Sequence, residues 1–190
     1  SYTEFILERF YKVFEEMDQE NDLIDSTRED LLKAVRATVY HVKRSQEIWR
    51  LYVQFEIDVM NKFKNPDQVE RVKKVYLDRL NVLHIDCEET FNGYSTYITA
   101  WDNNNYEENM VQANKIYADT KRAADERDVF EQKLIAAQYS INAFYEYIEN
   151  EKIAKNKFSL NNVRCLNERA ILIYCTDPNL WNDYILFLVS

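Results

Sequence analysis

Glycine is almost missing from this chain. Of 190 residues only Gly93 is glycine, and only Pro66 and Pro178 are proline. Average usage of about 7% would supply roughly 13 glycines at this length. Phosphate-cradling loops, two-residue hairpin turns and dinucleotide-binding turns all need backbone at φ > 0, which glycine supplies at least cost. Sheet-rich folds and folds that bind nucleotides through a glycine loop are therefore excluded. Cysteine is scarce too: Cys87, Cys165 and Cys175 are odd in number and lack C-x-x-C spacing. Neither a disulfide framework nor a zinc ribbon is expected, and a reducing compartment fits. Long hydrophobic runs are absent. Ala170–Cys175 and Tyr184–Val189 fall far short of the ~18 residues of a spanning helix, so no membrane association is expected. Ser1–Phe10 mixes Glu4, Glu8 and Arg9 into its apolar residues, unlike a signal peptide.

Basic residues are outnumbered, 24 against 33 acidic, for a net charge of −9. Phosphate backbones are bound by releasing counterions against lysine and arginine, so a chain this acidic is a poor general nucleic-acid binder. What the chain does have is apolar residues at three- and four-residue spacing almost throughout, the pattern of amphipathic helices. The spacing predicts helices near 3–19, 28–43, 46–63, 67–82, 87–101, 106–122, 126–136, 139–155, 160–175 and 178–189. Ser26 with Glu29 reads as a capping box. Asn65-Pro66 and Asp177-Pro178 each place a capping oxygen before a proline at the first helical position. The fold class is all-α.

The helices repeat. Trp49-x-x-Tyr52-x-x-Phe55-Glu56 returns as Phe91-x-x-Tyr94-x-x-Tyr97, as Phe144-x-x-Tyr147-x-x-Asn150-Glu151, and as Trp181-x-x-Tyr184-x-x-Phe187. Second helices follow, clearest at Arg71 to Leu80 and Arg164 to Ile171. Residues at i, i+3 and i+6 or i+7 share one helical stripe. Each first helix thus presents a line of aromatics to its neighbours, and the trailing glutamate is placed to reach a donor on the adjoining helix. One helix pair cannot bury such a stripe, whereas stacked pairs can. These aromatics, Glu56 and Glu151, and the helix-entry Pro178 are expected to build the scaffold.

This pattern resembles the half-a-TPR (HAT) repeat family, whose first helix carries W-x-x-Y-x-x-F-E and whose second carries an R-x-x-x-[FY]-E-R-[AC]-[LI]-like string. Val72–Leu80 and Leu166–Ile171 look like that second helix, and Asp177–Trp181 looks like the next repeat's start. Asn150 in place of an aromatic, and Phe91 and Phe144 in place of Trp, depart from it. The resemblance implies an α-α superhelix of about four to five helix pairs over residues 1–190, with 1–27 a degenerate first repeat, and part of a longer array. It further implies a non-catalytic, nuclear protein-binding scaffold of RNA processing. The pattern is most similar to arrays of splicing proteins that assemble and recycle the U4/U6 small nuclear ribonucleoprotein. Scaffolds of messenger-RNA 3′-end processing or of another splicing particle are the alternative, and a helical repeat that binds RNA directly is the alternative of another class. Protein partners, a homodimer in several family members, and indirect contact with RNA go with the resemblance.

Other residues offer little chemistry. His84 and Cys87 are the only strong metal ligands in His84–Glu89, short of the four a structural zinc needs, so the segment reads as a polar turn. His41, Lys43 and Arg44 fit the cationic C-terminus of a helix. Cys165 and Cys175 sit in apolar sequence, distant in the chain from either histidine, and read as core. No catalytic, cofactor or metal site is expected. Lys62, Lys64, Arg71, Lys73, Lys74 and Arg79, and Lys152, Lys155 and Lys157, read as solvated faces. The last helix is apolar nearly all round, which makes Leu180, Ile185, Leu188 and Val189 the expected partner or dimer surface.

Overall fold

The computed structural model describes residues 2–190. Among them the chain forms nine α-helices and no strand: α1 Tyr2–Phe14, α2 Asp22–Thr38, α3 Ser45–Phe63, α4 Pro66–Leu80, α5 Cys87–Trp101, α6 Tyr106–Ala136, α7 Ile141–Ala154, α8 Ser159–Ile173 and α9 Pro178–Val189. A short 3₁₀ turn, Asn103–Asn105, leads into α6. Every helix packs against the next in the chain, and α4 also against α6.

Both proline starts form. Asn65 Oδ1 accepts from the Asp67 N–H at 3.0 Å, and Asp177 Oδ1 from those of Asn179 and Leu180 at 2.9 and 3.3 Å. Three boundaries differ from expectation. The helix read as 3–19 stops at Phe14. Glu15, Glu16, Asp18 and Glu20 would bring negative charge to the negative end of the helix dipole. Lys62 of α3 instead donates to the freed carbonyls of Phe14 and Glu15. The second helix begins at Asp22, not at a Ser26 capping box, because Asn21 caps it by accepting from the Leu23 N–H at 3.0 Å. The helices read as 106–122 and 126–136 are one helix of 31 residues. Ala123 and Ala124 are strong helix formers, and their small side chains let Val42, Leu83 and Cys87 pack against them.

That long helix joins the interior. One apolar cluster fills α1–α5 and the start of α6, around Phe10, Phe55, Tyr94 and Ile98. A second unites the end of α6 with α7–α9, around Leu134, Phe144, Leu166 and Leu180. The third lies between them, where the α2–α3 and α4–α5 corners meet the middle of α6. The Ile85 N–H donates to the Val42 carbonyl at 3.0 Å and ties the two corners together. The left-handed turns of the described residues use no glycine: Lys64, Gln138, Tyr139 and Lys155 all have φ between 43° and 57°. No described helix is long and apolar enough to cross a membrane.

Candidate protein-docking groove

Repeat residues tie the helices together in the interior. Glu56 of α3 is fully buried, and Arg28 of α2 donates to both its carboxylate oxygens at 2.6 and 3.1 Å. Gln68 of α4 adds a bond to the same carboxylate at 2.6 Å and one to the Glu56 carbonyl at 3.2 Å. The set recurs in the second half. Glu151 of α7 receives Arg127 of α6 at 2.6 and 3.1 Å and Asn162 of α8 at 2.8 Å. A buried carboxylate is tolerable only when paired and hydrogen-bonded, so each constellation holds three helices in one register. The anchor rings match as well. The Arg79 guanidinium lies 5.7 Å from the Trp49 ring centre, and that of Arg169 lies 5.9 Å from Phe144.

The remaining two signatures are built differently. In α5, Tyr94 and Tyr97 are buried, and Phe91 is half-buried and stacked on Tyr117 at 4.4 Å. Ile98, fully buried, follows Tyr97 where a glutamate follows Phe55, leaving no charge to pair. In α9, Leu180 is 1% exposed and belongs to the second core, so it drops out of the expected partner surface. Trp181 points outward, 42% exposed, with its indole N–H on the Cys175 carbonyl at 2.8 Å. Tyr184 and Phe187 are half-buried, and Ile185, Leu188 and Val189 are exposed. The inward stripe of α9 therefore starts one residue before the aromatic that the repeat spacing selects.

His84 is fully buried rather than set in a solvated turn. Its Nδ1 donates to the Val82 carbonyl at 2.7 Å, so its Nε2 accepts from Thr90 Oγ1 at 2.8 Å. Thr90 accepts in turn from Gln46, whose Oε1 receives Arg79 Nε and Nη2 at 3.0 and 2.9 Å. Burial, then the Arg79 charge, push the imidazole down to about 3, and burial pushes Arg79 down to about 9. No group of side chains able to hold a metal occurs among the described residues.

The surface opens where the α2–α3 corner faces α8. A cleft of about 430 Å³ lies between Tyr40, His41, Arg44 and Ile48 on one side and Arg164, Cys165, Arg169 and Leu172 on the other. Tyr40 also borders a second hollow of about 240 Å³ lined by Leu83, Lys157, Phe158 and Asn161. The two hollows share Tyr40, and both border α8. Asn161, Arg164, Cys165, Glu168 and Leu172 recur at helical spacing, which puts them on one face of that helix.

Most of its charges are already engaged. Arg169 meets buried Glu131 at 2.7 and 3.0 Å, and those bonds outweigh burial to raise its pKa. Glu168 accepts the Tyr184 hydroxyl at 2.8 Å, Arg44 reaches Glu47 at 3.3 Å, and Lys157 lies 3.7 Å from Asp119. Arg164 is exposed and forms no ion pair among the described residues.

The groove also brings His41 and Cys165 together from distant segments. It does not activate the thiol. Burial pushes Cys165 up to about 11, far from the thiolate that attacks. Burial and then Arg169 push His41 down to about 4, and its Nδ1 accepts the Arg44 N–H at 3.2 Å. Cys175 is exposed, not core. Several basic residues read as solvated are committed within the chain: Arg79 is buried, with its bonds to Ser45 and Gln46, Lys73 pairs with Glu70 at 2.8 Å and with Asp102, and Lys152 with Glu149 at 2.8 Å. What the cleft offers is a partly apolar lining with a polar rim on which all the cations but Arg164 lie beside a carboxylate.

No protein-family model matches the chain, and no curated protein sequence matches it.

Proposed function

We propose that this chain is a non-catalytic scaffold, a superhelix of half-a-TPR repeats that binds proteins of a nuclear RNA-processing particle. One observation carries the reading: the arginine, glutamate and amide set of Arg28, Glu56 and Gln68 recurs as Arg127, Glu151 and Asn162. Equivalent buried bonds in two helix pairs, with the α5 pair between them lacking the glutamate, fit a stack of related repeats. The favoured setting is pre-messenger-RNA splicing, in assembly or recycling of the U4/U6 small nuclear ribonucleoprotein, and it is supported by the resemblance of the Trp49, Phe144 and Trp181 segments to HAT helices.

Purified U4/U6 particle proteins, presented with and without RNase treatment, test this reading. Capture that survives RNase supports it. Capture that needs intact RNA and collapses at roughly 0.5 M salt would favour a repeat that binds RNA directly. Light scattering behind size exclusion gives the oligomeric state in the same experiment.

A further inference from the structure

We infer that the outward face of α9 docks an amphipathic helix of a partner protein, antiparallel to α9, in the way that α6 lies on α5. The inference rests on reading the chain as a protein-binding scaffold, and it names the form and chemistry of the bound segment.

The α4–α5 and α8–α9 hairpins match each other ninety positions apart. Arg79 lies 5.7 Å from the Trp49 ring centre, and Arg169 lies 5.9 Å from that of Phe144. Tyr76 and Leu166, Leu80 and Ala170, and Thr90 and Leu180 are buried alike. The register of α9 is therefore that of α5. Trp181, Ile185 and Leu188 stand where Phe91, Ser95 and Ile98 stand, and Ile173 where Leu83 does.

In the first hairpin α6 covers those positions. Tyr117 stacks on Phe91 at 4.4 Å, and the Tyr106 and Ser95 hydroxyls meet at 2.8 Å. Ile98 is fully buried, and Leu83 packs with Ala123 and Ala124. In the second hairpin nothing covers them among the described residues: Ile173, Trp181, Ile185 and Leu188 are between 42% and 54% exposed. A contiguous apolar face left open marks an interaction site, and the covered copy of the same face shows that a helix fits it.

The form of the occupant follows from α6. As α6 runs from Tyr106 to Ala124 its contacts run from Ser95 back to Leu83, so the helices are antiparallel. That stretch is about 28 Å long at 1.5 Å per residue. Tyr106, Met110, Ala113 and Tyr117 pack into the core there, at a spacing of i, i+4, i+7 and i+11 that makes one helical stripe. The partner helix should carry the same stripe with aliphatic residues. Ile185 replaces the Ser95 hydroxyl that bonds Tyr106, and a hydroxyl buried against it would lose its hydrogen bond.

A second copy of the chain fits this face poorly. The 12 residues of α9 span about 18 Å, too short to reach from Leu188 to Ile173 as α6 reaches from Ser95 to Leu83. Only α3 and α6 among the described helices have 19 residues or more, and both bury their apolar stripes in the chain's own cores. A stable dimer also buries about 800 Å² per partner, more than one side of so short a helix presents.

Fluorescence anisotropy on the purified chain tests the proposal. The probe is a fluorescein-labelled peptide with the sequence of residues 106–124 carrying Tyr106→Leu, and a scrambled peptide of the same composition is run beside it. The probe should bind and become helical by circular dichroism, with little change up to roughly 0.5 M salt. Ile185→Glu and Leu188→Glu should each weaken binding by about fivefold or more. Both side chains are about half exposed, and thermal melting checks that each variant stays folded. Val129→Glu, at an exposed position of α6, should change nothing.

Equal binding of the scrambled peptide, indifference to Leu188→Glu, or dimerisation of the chain that Leu188→Glu abolishes would each overturn the proposal. If the probe fails while U4/U6 proteins are still captured, the α9 proposal falls and the scaffold reading stands. If the probe binds through Leu188 and those proteins are not captured, the α9 proposal stands and the splicing assignment falls.

Discussion

Arg28 and Glu56 stand 28 residues apart in the chain and meet at 2.6 Å with almost no solvent between them and the core. Arg127 and Glu151, 24 residues apart, do the same. The first pair joins α2 to α3 and the second α6 to α7, and in each an amide from the following helix completes the carboxylate's bonding. Such pairs contribute little net stability against an apolar replacement, but removing one partner leaves an uncompensated buried charge.

Glu56→Ala and Glu151→Ala should therefore each cost about 3–5 kcal/mol. The double replacement Arg28→Met with Glu56→Leu should cost far less than Glu56→Ala alone. Urea unfolding of the four proteins checks this. Equal losses for the single and double variants would show that packing, not charge pairing, dominates there.

The one glycine is placed by close approach and not by backbone angle. A Cβ at Gly93 would lie 3.1 Å from Tyr76 Cε1 and 3.3 Å from its hydroxyl. Tyr76 cannot easily yield, because Trp49, Tyr94 and Tyr97 surround its ring at 5.4, 5.8 and 6.0 Å. Alanine normally gains about 1 kcal/mol over glycine in a helix. Here Gly93→Ala should instead lower stability by about 1 kcal/mol, and Tyr76→Phe in the same chain should recover part of the loss. Thermal melting that rises on Gly93→Ala would contradict it.

Lys64 and Lys155 end α3 and α7 with φ of 50° and 43°. A side chain in that region costs about 1–2 kcal/mol, part of which glycine returns as unfolded-state entropy. Lys64→Gly and Lys155→Gly should each stabilise the protein by roughly 0.5–1 kcal/mol. Lys74→Gly, inside α4 and exposed, should destabilise it by about 1 kcal/mol. Denaturant midpoints moving in the same direction for all three would sink the argument.

In α9 the buried residue is Leu180, not the neighbouring Trp181. Leu180→Ala should cost about 2–5 kcal/mol as a core truncation. Trp181→Ala, which removes a half-exposed ring and one bond to the Cys175 carbonyl, should cost about 1 kcal/mol. Comparing the two melting temperatures checks the register of the helix directly.

Stability should fall as pH drops below the ordinary histidine range. His84 is pushed down to about 3 and His41 to about 4, so the unfolded chain binds more protons than the folded one between those values and about 6.5. Their contribution is complete above about 6.5 and is lost toward pH 3–4. Between pH 6 and 5, above most carboxylate titration, the slope from His84 should approach about 1.4 kcal/mol per pH unit. The less buried His41 adds a smaller share, and His41→Gln should remove it. A stability profile flat from pH 7 to 5 would refute the buried, neutral state of both rings.

Much of the fold was legible in the chain. The caps at Asn65 and Asp177 are local chemistry, a short acceptor beside a proline, and both form as read. Local rules failed where a distant residue intervened: Lys62 takes over the carbonyls at the end of α1, and packing against Ala123 and Ala124 keeps α6 whole where two helices were expected. The groove was legible in halves. Arg164, Cys165, Glu168 and Leu172 recur at helical spacing, yet nothing local says that Tyr40, His41 and Arg44 lie opposite them.

The sequence by itself determined that this protein is helical, where its proline-capped helices start, and which aromatic stripes need covering, since turn chemistry and 3.6-residue periodicity act over a few residues. Tertiary structure alone decided which arginines and amides meet Glu56 and Glu151, that Leu180 and not Trp181 faces inward, and that the α2–α3 corner and α8 enclose a cleft. Those outcomes depend on distances between residues far apart in the chain, set only when the helices pack.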